Sequence, residues 1–132
     1  VWTIEADLFH GGMMSKHYHG SCHCGAIKFS YEGEEITAGL RCNCSICARK
    51  GAMMSPEAIP VAALEVEAND EDLGLYQFDS RIAKHYFCRR CGIYTHNEMA
   101  RKPGHCRVNL GCIEDLDTSG FEVTVFDGRN LL

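Results

Sequence analysis

The chain has 132 residues, 45% hydrophobic and 23% charged, with a formal net charge of −5. That is the length of one ordinary domain with a modest core. No apolar run approaches the roughly 18–20 residues of a membrane span, and the acidic balance lacks the basic face of a nucleic-acid binder, so neither membrane nor nucleic acid is an expected partner.

Residues 1–14 end in Gly11-Gly12 before Met13 and Met14 and show no sustained period. They are expected as a leader or disordered extension, with 15–132 as a single domain. The alternative is a short element that packs through Trp2, Ile4, Leu8 and Phe9. No basic stretch followed by an apolar one is visible, which points to the cytoplasm.

Ala26 to Tyr31 alternates, with Ile27, Phe29 and Tyr31 on one face, and reads as a strand. Ile36 to Leu40 reads as a second strand. Ala48 to Gly51 reads as a turn or a single helical turn, and Ala52 to Ser55 as a short strand. Leu64 to Glu67 alternates. Asn69 to Asp72 is a polar turn placed to cap a short helix at Asp72 to Gly74. Leu75 to Phe78, Ile82 to Phe87, Ile93 to His96, Arg107 to Ile113 and Phe121 to Phe126 complete the strands, which puts Cys112 in a strand as a core residue. With no long amphipathic helix and no repeat, the chain reads as mostly β: short strands with zinc-ribbon-like knuckles.

Nine cysteines are the outstanding feature of the composition. The odd count and the clustering as C-x-C and C-x-x-C argue against a secreted disulfide scaffold and for metal binding in a reducing compartment. Cys88-x-x-Cys91-Gly92 between two strand-like arms is a zinc-ribbon knuckle, in which the glycine permits the tight turn. Cys22-x-Cys24-Gly25 offers two more sulfurs, and the four together would make a closed tetrahedral site. Four unrelated buried cysteines are the bland alternative. Cys42-x-Cys44-x-x-Cys47 then stands alone with three ligands. Either Cys106, Cys112 or one of seven histidines completes it as a structural site, or its fourth position is open. Spacing leaves both readings standing. An open site of three thiolates suits a fourth, exogenous thiolate, because zinc binds the deprotonated thiol.

Three segments, Gly20-Ser21-Cys22-His23-Cys24-Gly25-Ala26-Ile27, Arg41-Cys42-Asn43-Cys44-Ser45-Ile46-Cys47-Ala48-Arg49 and Phe87-Cys88-Arg89-Arg90-Cys91-Gly92-Ile93, follow one another in this order. They resemble the domain shared by glutathione-dependent formaldehyde-activating enzymes and centromere protein V, over roughly Tyr18 to Cys112. The resemblance implies a zinc-bound β-tent of short coiled antiparallel sheets carrying two Zn2+ per chain. It assigns Cys22, Cys24, Cys88 and Cys91 to a structural zinc and Cys42, Cys44 and Cys47 to a reactive one. It implies a carbon–sulfur lyase-type activity that joins formaldehyde to glutathione as S-hydroxymethylglutathione. Arg49 and Lys50 are candidates for glutathione's carboxylates, and His96 and Glu98 for an acid or orienting group. The partner is then a small thiol such as glutathione, and a homodimer is compatible with the sequence. The competing readings are a non-catalytic zinc-stabilised interaction module and a thiolate redox or zinc switch.

Overall fold

The computed structural model describes residues 15–78 and 83–131. The expectations for residues 1–14, and for Ile82 as the start of a strand, lie outside the described residues. Ten short strands are present there: β1 (Ser15–Ser21), β2 (Lys28–Glu34), β3 (Ala38–Cys42), β4 (Ile59–Pro60), β5 (Glu65–Glu67), β6 (Leu73–Tyr76), β7 (Lys84–Cys88), β8 (Tyr94–Glu98), β9 (His105–Val108) and β10 (Glu122–Phe126). Two short helices, α1 (Ser45–Lys50) and α2 (Gly128–Leu131), join them. The mostly β architecture of short sheets and knuckles is the one expected from the sequence. No described helix is long and apolar enough to cross a membrane.

The alternation in β2 dictates the first sheet. Phe29 and Tyr31 point inward and are buried, and Ile27 just before the strand is fully covered. β1 lies antiparallel to β2 with Tyr18 opposite Tyr31, and β5 pairs with the other edge of β2. The Tyr18 and Tyr31 rings lie 5.5 Å apart, and the Tyr18 hydroxyl accepts the Ile36 N–H at 2.8 Å, which stops β2 from continuing past its turn. A five-stranded antiparallel sheet follows in the order β4-β9-β8-β7-β6. Its inner face supplies Ile59, Cys106 and Val108, which pack with Leu110 and Ile113 against the first sheet. The third pairing is different: β3 and β10 run parallel, with Ala38 beside Glu122 and Cys42 beside Phe126. Two-way bonds between Leu40 and Met54 (2.9 and 2.8 Å) tie β3 onward, and Met54 also bridges Asn109.

Several elements settle differently from their local pattern. Ala52 to Ser55 contributes one bridge residue, Met54, and not a strand. Asp72 does not cap a helix: β6 starts at Leu73, and the Asp72 carboxylate accepts from Arg90 Nε at 2.7 Å. The alternation from Arg107 to Ile113 breaks at Asn109. Its side-chain oxygen accepts from the Gly111 N–H at 3.0 Å and winds Leu110–Cys112 into a 3-10 turn. Cys112 is therefore buried in a turn and not in a strand.

One cross-strand pair leaves no room for growth. Gly20 faces Phe29, and a Cβ added at Gly20 would overlap the Phe29 ring. Gly20→Ala is expected to destabilise the domain by about 1–3 kcal/mol through overpacking. The check is the urea midpoint at unchanged slope, and an unchanged midpoint would contradict this account of the pair.

Candidate metal centres

Two groups of cysteine sulfurs converge among the described residues: Cys22, Cys24, Cys88 and Cys91 in one, and Cys42, Cys44 and Cys47 in the other. Within each group all sulfurs lie within 4.8 Å of one another.

The first group is built from two similar loops. Cys22 follows β1, its N–H donates to Ile27 O at 3.0 Å, and Gly25 turns the chain with φ +85°. Cys88 ends β7, Gly92 turns the chain with φ +82°, and the Gly92 N–H donates to Cys88 O at 2.8 Å. These left-handed turns fold the backbone so that amides point at sulfur. Ile27 N–H donates to Cys22 Sγ at 3.3 Å, and the N–H groups of Arg90 and Cys91 donate to Cys88 Sγ at 3.3 and 3.4 Å. Cys22 Sγ is 3.7 Å from Cys24 Sγ, which is 3.6 Å from Cys88 Sγ. A tetrahedron of sulfurs at about 2.3 Å from a central zinc has edges of about 3.8 Å, so the donor set fits such an ion in number, chemistry and spacing. Cys22, Cys88 and Ile27 form their own small buried cluster, with Ala26, Ala68 and Leu73 against it. The Cys91 thiol is pulled down to about 6: burial opposes this, but the N–H groups of Ile93 and Cys24 and the neighbouring thiols outweigh it. Cys22 is also lowered, against burial, while Cys24 carries the opposing shift, up to about 11.

The second group is set by hydrogen bonds more than by apolar packing. Cys42 ends β3, and Cys44 stands at the N-terminal end of α1 in extended conformation (φ −65°, ψ 168°). Cys47 lies within the helix, and Gly51 closes it at φ +66° by donating its N–H to Cys47 O. Asn43, between the first two thiols, is held on three sides. Its N–H donates to Phe126 O (3.2 Å), its Nδ2 to Asp127 Oδ1 (3.0 Å), and its Oδ1 accepts the Arg129 N–H (2.8 Å). Burial pushes Cys47 up to about 12 and raises Cys42, while Cys44 is lowered against burial by the Cys47 N–H and the flanking thiols. Among the described residues no further Cys, His, Asp or Glu joins this group.

Lys50, one turn after Cys47, projects toward the triplet. Its ammonium sits 3.6 Å above the Tyr94 ring centroid and 3.0 Å from His85 Nδ1. Burial lowers the Lys50 pKa, and the Cys47, Cys44 and Cys42 sulfurs pull it back up. Burial, with the Lys50 charge second, holds His85 down to about 4, so it meets the ammonium as a neutral acceptor. The Tyr94 hydroxyl is buried with no hydrogen-bond partner among the described residues, and burial followed by the Cys47 charge raises its pKa.

The other candidates lie elsewhere. Arg49 turns back along α1 and donates to Ser45 O at 2.9 Å, exposed. His96 is buried against Phe29 and stacked 4.6 Å from Tyr86. Its Nδ1 lies 2.9 Å from Thr95 Oγ1, and burial lowers it to about 4. Glu98 accepts from the Tyr86 hydroxyl at 3.0 Å. Neither makes a contact to the triplet, whereas Lys50 and Tyr94 face it. His85 and Tyr94 had no signal in spacing, because they reach Lys50 from separate strands. Lys50 itself had one, three residues after Cys47 on the same helical face.

A family profile described as "Glutathione-dependent formaldehyde-activating enzyme" matches residues 17–128. A crystal structure of a Rhodobacter sphaeroides protein, a structural-genomics target, is 36% identical, with TM-score 0.69 over 80% of this chain and 99% of its own.

Asn43→Ala removes the two side-chain bonds that fix the triplet loop. It should lower metal affinity there roughly 10–100-fold, the usual effect of losing an outer support, while sparing the four-sulfur group. Chelator competition reads both sites, and equal loss at both would contradict the assignment. Acid separates the groups as well. Protons compete with metal for thiolate, so affinity falls as pH falls. Two of the three triplet thiols are raised and one is lowered, whereas in the four-sulfur group two are lowered and one is raised. The triplet should release metal at the higher pH, in a first step seen with a zinc-sensitive dye. Release in one step or in the reverse order would contradict this.

Proposed function

The chain belongs to the glutathione-dependent formaldehyde-activating enzyme family, and from that membership we propose that it is a zinc-dependent carbon–sulfur lyase-type enzyme that condenses formaldehyde with a small thiol such as glutathione. The observation that carries this reading is the triplet of Cys42, Cys44 and Cys47. It is gathered to metal-binding spacing, has no fourth protein ligand among the described residues, and is flanked in the chain by Arg41 and Lys50, which line a cavity of about 540 Å3.

The two sulfur groups take different parts in this reading. Cys22, Cys24, Cys88 and Cys91 hold a closed structural zinc that fastens the turn after β1 to the turn after β7. Cys42, Cys44 and Cys47 would hold the second ion, with no fourth protein donor among the described residues. Zinc held there supplies a substrate thiol in its thiolate form at neutral pH.

The chain's own residues do the rest. Three cysteine thiolates and a substrate thiolate exceed the two positive charges of the metal. The Lys50 ammonium, kept in place by His85 and the Tyr94 ring, offsets that excess in a half-buried setting where charge counts more than in water. Asn43 and Gly51 fix the loop that carries the three sulfurs, so that their positions are set before a ligand arrives. The sulfur lone pair then forms a bond to the formaldehyde carbon, the carbonyl π pair moves to oxygen, and water or an ammonium N–H supplies the proton. The product is a hydroxymethyl thioether, with no change in total oxidation state.

The test is NMR exchange between free and adducted formaldehyde with glutathione present. Metal-loaded chain should accelerate adduct formation over buffer, and Cys47→Ser should abolish the acceleration. A rate equal to the buffer rate with the intact chain would overturn the proposal.

A further inference from the structure

The cavity beside the triplet is built from Arg41, Lys50, Tyr94, Asn109 and Thr118, with glycines between them. Its lining residues include two cations and no carboxylate. A second cavity, about 460 Å3 beside β2 and β5, shows the contrast: its lining includes Glu65, Glu67 and Glu114 with Lys28.

Arg41 immediately precedes Cys42, at the far end of the loop from Lys50. Its Nη1 donates to Gly51 O at 2.9 Å, which seats the guanidinium at the C-terminal end of α1. That is its one hydrogen bond among the described residues, and a guanidinium has five N–H donors in a planar fork suited to a carboxylate. The two cations have separate tasks. The Lys50 ammonium is engaged by His85 and Tyr94 next to the sulfurs, whereas Arg41 is exposed on the cavity wall. The glycines leave space between them: a Cβ added at Gly51 or Gly92 would meet nothing within 4 Å. Arg41, the residue before Cys42, and Lys50, one turn after Cys47, share this lining, which brings the cavity to both ends of the triplet loop.

We propose that this cavity selects thiols that carry a carboxylate, with Arg41 as the residue that recognises the carboxylate while the sulfur engages the triplet. This deepens the reading of the triplet as a thiol site and rests on it. Neutral thiols reach the same sulfur position without the second anchor, so the preference for an acid over its neutral analogue measures Arg41 directly.

The test is calorimetric binding to the metal-loaded full chain, independent of turnover. Two pairs are compared: 3-mercaptopropionate with 3-mercaptopropionamide, and glutathione with its diethyl ester. Each acid should bind about tenfold or more tightly than its carboxylate-free partner, a preference of about 1.4 kcal/mol per factor of ten. In Arg41→Met that ratio should fall to near one at unchanged metal content, and in Arg41→Lys most of it should remain. A ratio near one in the unsubstituted chain, or a ratio that survives Arg41→Met, overturns the proposal. S-Methylglutathione and its ester, which offer no thiolate, separate the two readings. If their acid preference also depends on Arg41 while free thiols bind no better than these thioethers, the carboxylate site stands and the thiol reading of the triplet fails.

Discussion

Sulfurs held a few ångströms apart cannot all ionise unless a cation sits among them. Seven of the nine cysteines are in that situation, and the rest of the structure follows from how the two groups meet it. In the four-sulfur group the backbone N–H groups of Ile93 and Cys24, with the neighbouring thiols, outweigh burial and draw Cys91 down, while Cys24 is raised. The group joins the first sheet to the five-stranded sheet, and little else stands at that end of the fold: the apolar cluster there is Ile27 with a few small or partly covered neighbours. A structural zinc can supply ~10 kcal/mol or more, comparable to the whole stability of an ordinary domain. The larger apolar cluster lies between the sheets and is closed by Tyr18, Phe29, Tyr31 and Leu110.

The triplet meets the same constraint differently. Its loop has no buried residue in α1 to anchor it. It is held by Asn43, by the parallel pairing of β3 with β10 and by the left-handed Gly51. Hydrogen bonds of that kind fix a loop without filling the space in front of it, and a cavity remains on the side of Lys50 and Tyr94. The same arrangement puts one engaged cation beside the sulfurs and a second, exposed one at the end of the helix. In the proposed reading, such a site would separate the chemistry of the thiol from recognition of whatever the thiol carries.

Much of this was legible where the information is local. The C-x-x-C-Gly knuckle, the C-x-C-Gly loop and the alternation of Ile27, Phe29 and Tyr31 each sit within about six residues, and each appears as its pattern implies. Relations between distant segments were not legible. The parallel β10 partner of β3 has no counterpart in the sequence near Cys42, yet it positions Asn43. His85 and Tyr94 approach Lys50 from neighbouring strands. Direction misled as well. Arg49 and Lys50 are adjacent, but the helical rotation between them turns one along α1 and the other toward the sulfurs. His96 has a histidine's chemistry, but burial against Phe29 turns it into a packing residue. Cys112 follows a strand-like alternation that Asn109 ends with one side-chain hydrogen bond.

The claim on which the account depends is that the two sulfur groups, as proposed zinc sites, differ in closure. X-ray absorption at the zinc edge, on the metal-loaded chain before and after addition of thiol, tests it most directly. The account predicts two zinc ions per chain and a first shell of sulfur with a minor oxygen or nitrogen contribution, which sulfur replaces when thiol is added. A single zinc per chain, or a shell already complete in protein ligands and unmoved by thiol, would contradict it.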